Sequence, residues 1–250
     1  MKVATWNVNG IRARETEVLQ WIEETKPGVL CLQEIKATCD QVPLLLCALP
    51  GYWSYWHGGP RGYSGVALLL RKDLCPERPA FSHPEFDFES RIVLARLPQF
   101  AVASIYVPNG GKDFAAKMRF LQALEAFAES QTAAGTPLVL CGDLNIARTE
   151  IDVHPRERNP QVIGQLPEER ALFERLLGHG LRDLRREMDP ENDGLFTWWA
   201  PWRNLRARNI GWRIDYILSS HGLAGCARSC VVQAKTGTSD HAPVVAEFEV

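Results

Sequence analysis

Short runs of apolar and β-branched residues recur along the whole chain, and their spacing limits the folds it can adopt. They predict nine β-strands, and amphipathic helical patterns lie between only some of these. Strands at 92–97 and 102–107 follow each other directly, which indicates an antiparallel hairpin. Helices packed outside two stacked sheets satisfy this order better than a doubly wound parallel sheet. The strands are predicted at 3–8, 29–32, 66–70, 92–97, 102–107, 138–141, 214–218, 229–234 and 244–248, and the helices at 15–24, 114–130 and 168–177.

The composition is that of a globular protein, with 46% hydrophobic and 23% charged residues. No linker divides the 250 residues, so we expect one domain over 1–250. The seven cysteines form no CxxC pair, which predicts reduced thiols and a cytoplasmic protein. The first strand pattern begins at the third residue, so we expect no signal peptide, and every apolar run is shorter than the roughly 20 residues that span a bilayer. A membrane partner is therefore not expected.

One segment has a charge pattern that the net charge of -2 conceals. Between Gly194 and Ile214 there is no acidic residue, but there are four arginines and four of the eight tryptophans. Interleaved basic and aromatic side chains suit a phosphate backbone with an exposed base or sugar. The alternative is a solvated arginine face above buried tryptophans.

Polar side chains stand at the ends of two early strands. Asn7 and Asn9 alternate with apolar residues, so on a strand they share one face. They can hold a cation or a phosphate oxygen, or cap the helix that follows. Glu34 ends a buried strand, where a carboxylate is costly unless it is paired or bound to metal. Lys36 is a possible structural partner for it.

Three further groups stand at later strand ends. Asp143 and Asn145 face together if their strand continues, and Asp215 lies between apolar strand positions. Asp240 and His241 precede the last strand, where a surface turn is the simpler interpretation of either residue alone. Five strand ends thus offer carboxylate and carboxamide oxygens with a single imidazole. The set fits Mg²⁺ better than zinc, and it fits phosphoryl transfer with an attacking water.

In this order the motifs resemble the exonuclease III family of apurinic/apyrimidinic (AP) endonucleases, within the endonuclease/exonuclease/phosphatase superfamily. The resemblance covers the chain from Lys2 to Val250. It implies a four-layer αββα sandwich of two mixed, mainly antiparallel sheets, in keeping with the α/β pattern above. The motifs are Trp6-Asn7-Val8-Asn9-Gly10, Gln33-Glu34-Ile35-Lys36, Tyr63-Ser64-Gly65-Val66, Tyr106-Val107-Pro108-Asn109, Gly142-Asp143-Leu144-Asn145, Gly211-Trp212-Arg213-Ile214-Asp215-Tyr216 and Ser239-Asp240-His241-Ala242-Pro243.

The resemblance also implies roles for these residues. Asp143 would activate the attacking water, and His241 would contact the scissile phosphate. Adjacent side chains on extended backbone point apart, so we expect His241 to be oriented by Asp215 while Asp240 faces the metal waters. Glu34 would be the main ligand of Mg²⁺, for which Mn²⁺ would substitute. The other predicted catalytic or metal-site residues are Asn7, Asn9, Asn145 and Tyr106, and Asp143 and His241 also belong to the metal set.

Predicted contacts with double-stranded DNA surround that set. Trp198, Trp212 and Ile214 would wall a pocket that admits an extrahelical abasic sugar and excludes most intact nucleotides. Where relatives carry a second DNA-binding Asn, this chain has Val162, and its wedge positions carry Lys112 and Trp202. The remaining predicted contacts are Asn109, Tyr63, Lys36, Asn159 and Arg203.

The resulting hypothesis is a monomeric, Mg²⁺-dependent repair endonuclease that cuts duplex DNA 5' to abasic sites and has associated 3'-5' exonuclease and 3'-phosphatase activity. The first alternative is a 3'-end-trimming exonuclease and 3'-phosphatase with weak activity on internal abasic sites. Others are a phosphatase or phospholipase of the same superfamily, and a non-catalytic DNA-binding protein. Five histidines show no convergent partners in the sequence and are assigned no role: His57, His83, His154, His179 and His221.

Overall fold

Two six-stranded sheets form the centre of the protein in a computed structural model that describes residues 1–249. The first sheet has the order β11-β12-β1-β2-β4-β3 and the second β5-β6-β7-β8-β10-β9. The strands are β1 Lys2–Asn7, β2 Val29–Gln33, β3 Tyr52–His57, β4 Val66–Arg71, β5 Phe81–Ser82, β6 Ile92–Arg96, β7 Ala101–Tyr106, β8 Leu138–Asp143, β9 Leu181–Asp183, β10 Asp215–Ser220, β11 Ala227–Val232 and β12 Val244–Phe248.

Helices lie outside both sheets, so the predicted four-layer αββα sandwich is confirmed. Aliphatic residues from the facing sides of the sheets form one core, among them Val3, Val29 and Val139. A second core packs the first sheet against α1, and a third packs the second sheet against α3 and α4. The helices are α1 Glu15–Thr25, α2 Leu44–Cys47, α3 Phe114–Ala133, α4 Pro167–Gly178, α5 Leu184–Met188 and α6 His221–Ala224.

Each sheet contains a single parallel strand pair, and each pair is connected by a helix. The pairs are β1 with β2 across α1, and β7 with β8 across α3, whereas all other pairings are antiparallel. A parallel pair requires a crossover because both strands run in the same direction. The carboxyl ends of β1, β2 and β8 therefore lie at one end of the sandwich, beside the start of β10. This end carries the polar residues that interrupt the strand patterns.

The nine predicted strands are all present, but three further strands were missed. β3 is an aromatic-rich edge strand with only one buried residue, so it lacks an apolar run. β5 and β9 have only two and three residues, too few to show alternation. Among residues 1–249, no helix combines the length and apolar character that a membrane crossing requires.

Candidate active site

The five polar strand ends meet at the seam between the two sheets. Asn7 ends β1 in the first sheet, and Asp143 ends β8 in the second. The Asn7 Nδ2 donates to Asp143 Oδ2 at 2.9 Å and to Glu34 Oε1 at 3.1 Å. Asn7 therefore presents its NH₂ group to both carboxylates, while its own Oδ1 accepts from the Asn9 N–H at 3.0 Å. This amide fixes the spacing of two carboxylates that belong to different sheets.

Left-handed backbone turns follow three of these strands and aim the next polar side chains into the site. Asn9, Glu34 and Asn145 have φ values of 45°, 49° and 51°. This region is uncommon for residues other than glycine and persists only where the surroundings enforce it. The simple alternation predicted for Asn9 and Asn145 is thus replaced by a turn. Asn145 still meets Asp143, since its N–H donates to Asp143 Oδ1 at 2.9 Å.

His241 lies between two aspartates in a buried row. Its Nδ1 is 2.9 Å from Asp215 Oδ2, and its Nε2 is 3.9 Å from Asp143 Oδ2. Asp240, its neighbour in sequence, points elsewhere and accepts from Asn9 Nδ2 at 2.7 Å and from Trp198 Nε1 at 3.0 Å. The adjacent Asp240 and His241 side chains thus have separate partners.

The row shifts the pKa values of His241 and Asp143. Burial alone would lower the pKa of His241, but the charge and hydrogen bond of Asp215 and the charges of Asp143 and Asp240 raise it to about 10. Burial raises the pKa of Asp143 to about 7, where the His241 charge opposes the rise while Asp215 and Glu34 add to it. His241 is therefore a cation at neutral pH, and Asp143 is poised to exchange a proton there.

The neighbours of Glu34 and Tyr106 also shift the pKa values of these two residues. Burial opposes ionisation of Glu34, but Lys36, whose Nζ lies 2.7 Å from Oε2, and His241 lower its pKa. Tyr106 donates its hydroxyl to Glu34 Oε1 at 2.8 Å. Burial, followed by the charges of Glu34 and Asp143, raises the pKa of Tyr106 well above its ordinary value. Tyr106 is therefore a neutral hydrogen-bond donor.

A cavity of about 520 Å³ opens above this row. One side is polar, and the other is walled by Trp198 and Trp212, whose rings meet edge to face at 5.7 Å. Three lining residues, Gly111, Val162 and Ile163, were not among the predicted site residues, although the sequence marks Val162 as a departure from the family pattern. The predicted site residues in its lining are Asn9, Glu34, Lys36, Tyr106, Asn109, Asn145, Trp198, Trp212, Ile214, Asp240 and His241.

The predicted DNA contacts at the rim of the cavity have exposed side chains. Lys112 Nζ lies 5.0 Å from the ring centroid of Tyr63, which is 45% exposed. Trp202 is 60% exposed and lines a neighbouring cavity that also touches Asn9 and Asp240. Asn159 and Arg203 are exposed, and the Asn159 side chain accepts from the Gln161 N–H within its own turn. None of these five rim residues lines the main cavity.

Two of the four arginines in the basic segment make contacts within the protein, and one of them is fully buried and therefore out of reach of DNA. Arg213 is completely buried and binds Asp183 through both terminal nitrogens, at 2.9 and 2.8 Å. Its Nε donates to Asp152 Oδ1 at 2.7 Å. Arg206 donates to the backbone carbonyls of Ala234, Thr236 and Ser239. Both arginines fix loops that border the cavity.

A second prediction was wrong for two histidines, because His57 and His83 do converge. Their rings stack at 3.8 Å, and His57 Nε2 lies 2.6 Å from Asp87 Oδ2. Both ring nitrogens of His83 are already occupied, by Tyr55 Oη at 2.9 Å and by the Ile92 carbonyl at 2.9 Å. Asp87 Oδ1 accepts from the Arg91 N–H at 2.8 Å. The cluster thus ties the edges of the two sheets together by hydrogen bonds.

Carboxylates outnumber cations around the cavity floor. Glu34, Asp143, Asp215 and Asp240 converge there, against the cationic Lys36 and His241. Ligand atoms of Glu34, Asp143 and His241 all lie within 4.8 Å of one another. A hard cation prefers oxygen ligands, and negatively charged carboxylate oxygens are in excess here. The residues present therefore fit a divalent metal at this position.

Comparison with known proteins places the chain in a family. The model of the endonuclease/exonuclease/phosphatase family matches residues 4–241. The DNA repair nuclease APEX1 of Danio rerio is 36% identical over 98% of the chain and 81% of that protein. The exodeoxyribonuclease of Bacillus subtilis is 33% identical, with 98% of each chain covered. Recombination repair protein 1 of Drosophila melanogaster is 34% identical, and the chain spans only 37% of its length.

Solved structures agree with this match. The Neisseria 3' phosphatase NExo bound to product DNA hairpin has a TM-score of 0.90 at 32% identity, and an AP endonuclease from Archaeoglobus fulgidus has 0.87 at 31%. Both comparisons cover 100% of each chain. The chain belongs to the endonuclease/exonuclease/phosphatase family, and its predicted place in the exonuclease III branch is confirmed.

Proposed function

We propose that the protein is a DNA-repair nuclease that hydrolyses the phosphodiester 5' to abasic sites in duplex DNA. It would leave a 3'-hydroxyl and a 5'-deoxyribose phosphate. The observation that carries this proposal is one cavity with a carboxylate-and-histidine floor and a wall of two tryptophans. The floor suits phosphodiester hydrolysis, and the wall suits a sugar without its base. Repair nucleases with these activities in their names are among the relatives.

The charge of the floor supports a metal-dependent reaction. A phosphodiester is an anion, so four carboxylates would repel it unless a cation lies between them. Glu34 would be the principal ligand of Mg²⁺, for which Mn²⁺ would substitute, and Asp143, Asp240 and the nearby asparagines would border the ion or its waters. When bound, the ion would neutralise the phosphate and the charge that develops on it.

The remaining chemistry belongs to side chains of the chain itself. Asp143 would accept the proton of the attacking water, because its buried carboxylate lies on the cavity floor between Asn7 and His241. His241, held cationic by Asp215, would donate from Nε2 to a phosphate oxygen. Tyr106 and Asn145 would hold further oxygens as neutral donors. Asn109 at the cavity edge would contact the adjacent phosphate.

The hydrophobic wall would select the substrate. Trp198 and Trp212 meet edge to face, and both rings line the cavity together with Ile214. A flipped deoxyribose without a base would fit this pocket, whereas an intact nucleotide would meet the rings. Lys112, Tyr63, Trp202, Arg203 and Asn159 would contact the flanking duplex, with Lys36 at the phosphate side. We also propose that the enzyme acts as a monomer.

Metal removal gives the first test. With a labelled duplex that carries one tetrahydrofuran abasic analogue, we expect a single incision on its 5' side. Chelator should reduce the rate by at least about 10³-fold, because the carboxylates are then uncompensated. Mg²⁺ or Mn²⁺ should restore it, and the same duplex without the analogue should stay uncut internally.

Calorimetric measurement of Mg²⁺ binding tests the metal site independently of which DNA substrate the enzyme cuts. Calorimetric Mg²⁺ binding should be lost in Glu34→Gln and retained in the surface control Glu129→Gln. Full incision in chelator would contradict the metal assignment. Equal incision of intact and abasic duplexes would contradict the substrate assignment.

A second candidate function is removal of blocked 3' ends as the main activity, with weak incision at internal abasic sites. The similarity to the Neisseria 3' phosphatase favours it, as does Val162 in the cavity lining, where the family resemblance implies a DNA-binding Asn. The two functions differ in the ratio of kcat/KM for an internal abasic analogue to that for a 3'-phosphate at a nick. A ratio above one supports the endonuclease, and a ratio well below one supports the trimming enzyme.

A further inference from the structure

A buried ion pair lies behind the cavity, outside the set of residues that face the phosphate. Lys117 in the first turn of α3 and Glu169 in the first turn of α4 are both 0% exposed, with Nζ 2.5 Å from Oε1. Burial lowers the pKa of Lys117, but Glu169 offsets part of this effect. A buried pair of this kind is seldom a net source of stability, because desolvation cancels most of the attraction. Its contacts therefore require another explanation.

Lys117 holds the backbone of the two asparagines at the cavity edge. Its Nζ donates to the Asn145 carbonyl at 2.7 Å and to the Asn109 carbonyl at 3.3 Å. Asn145 lies in the left-handed region, and its Nδ2 donates to the Val107 carbonyl at 2.9 Å within the same pair of loops. Gly110 packs so closely that a Cβ there would lie 2.9 Å from Lys117 Cδ, and its φ is 90°. One ammonium group thus joins the loops that follow β7 and β8.

Glu169 extends the same connection to the hydrophobic wall. Its Oε2 accepts from the N–H of Gly164 at 2.6 Å and from that of Leu166 at 3.1 Å. The second bond is an ordinary helix cap, but the first reaches the loop before the helix. Gly164 lies against the Trp212 ring, where a Cβ would come within 3.0 Å. Glu169 therefore fixes a backbone segment that the tryptophan packs upon.

We propose that Lys117 and Glu169 are a positioning pair that sets the distance between the phosphate side and the sugar pocket of the site. The pair links backbone groups of Asn109, Asn145 and Gly164 across two loops. It makes no hydrogen bond to Asp143 or His241, although the charge of Asp143 acts on Lys117. It should govern how tightly an abasic duplex is held more than the rate of the chemical step. This inference rests on the proposed function.

The test uses a double variant that leaves no unpaired buried charge. Lys117→Met with Glu169→Gln nearly conserves volume and keeps an acceptor for the helix cap, but it removes both bonds to the asparagine carbonyls. For the abasic duplex we expect KM to rise about tenfold while kcat falls by less than about threefold, as for lost uniform binding. The matched control is Arg175→Met with Glu125→Gln, which removes another α3–α4 ion pair of 2.9 Å away from the cavity. The control should leave both constants unchanged.

Hydrogen exchange supplies a measurement that needs no substrate. In the double variant, peptides covering 107–112 and 144–166 should exchange at least about tenfold faster, whereas those of β8 and β10 should not change. Unchanged KM and unchanged exchange would overturn the proposal, and so would a fall in kcat alone. If the wild-type protein fails to cut the abasic duplex, the proposed function fails, while the exchange comparison still decides whether the pair holds the loops.

Discussion

Replacing Asp143 with Asn, or His241 with Ala, should lower kcat for abasic-duplex cleavage by at least about 10³-fold while the Kd for DNA changes by less than about threefold. The asparagine side chain would keep the shape of the aspartate but could not take the proton of the attacking water. The alanine variant would lack the cation that Asp215 holds 3.9 Å from Asp143, measured from Nε2 to Oδ2. Single-turnover cleavage and fluorescence anisotropy with the same labelled duplex measure the two effects separately.

The controls are surface residues of the same types, Asp193→Asn and His221→Ala, both of which are exposed. They should cleave at the wild-type rate. If either site variant keeps more than about a tenth of wild-type kcat, the proton-handling assignment fails, because general acid–base groups contribute at least about 10²-fold.

Replacing Asp152 with Asn should lower the free energy of unfolding by about 3–5 kcal/mol, because it leaves buried arginine charge uncompensated. Asp152 Oδ1 accepts from Arg213 Nε at 2.7 Å and from Arg186 at 2.6 Å, and its Oδ2 accepts from the Thr149 N–H at 3.0 Å. Urea denaturation followed by circular dichroism would measure the loss. The control is Asp73→Asn, whose exposed ion pair with Arg71 should contribute no more than about 1 kcal/mol. A loss below about 1 kcal/mol for Asp152→Asn would contradict the prediction.

The same carboxylate predicts how stability depends on pH. Burial alone would raise the pKa of Asp152, but Arg213 and Arg186 outweigh it and lower the pKa to about 2 from 3.8. A lowered folded-state pKa means that the stabilisation is complete above the unfolded value and is lost as pH falls from about 4 towards 2. The shift corresponds to roughly 2–3 kcal/mol. Asp152→Asn should therefore show a weaker loss of stability than wild type across that interval.

The sequence was enough to predict the two layers of sheet and the polar strand ends because both depend on local pattern, whereas the pocket residues and all residue roles came from the resemblance to the exonuclease III family. Apolar runs and helical periodicity identify nine strands and three long helices, and polar residues that interrupt those runs mark strand ends. Parallel pairing then brings the ends of β1 and β2 together without any knowledge of side-chain packing. The aromatic edge strand β3, most of which is only partly buried, escaped because its residues fit no apolar period.

What escaped prediction depends on contacts between distant segments. Nothing local distinguishes the buried Arg213 from an exposed arginine of the same basic segment; its two aspartates lie 30 and 61 residues away. Lys117 and Glu169 look like ordinary polar residues in helical first turns, and only the packing of α3 on α4 buries them. The orientation of the Asn7 amide is likewise decided by Glu34 and Asp143 together.

The seam between the sheets has a consequence for how activity is acquired during folding. Asn7 and Asp143, joined by one hydrogen bond, are 136 residues apart in the chain, and Asn9 and Asp240 are 231 apart. Contacts of such separation carry large loop-closure entropy and form late. Neither half of the chain contains a complete set of proton-handling and anion-binding groups. Recovery of cleavage after dilution from denaturant should therefore follow the slowest folding phase, and intermediates with only one sheet formed should be inactive.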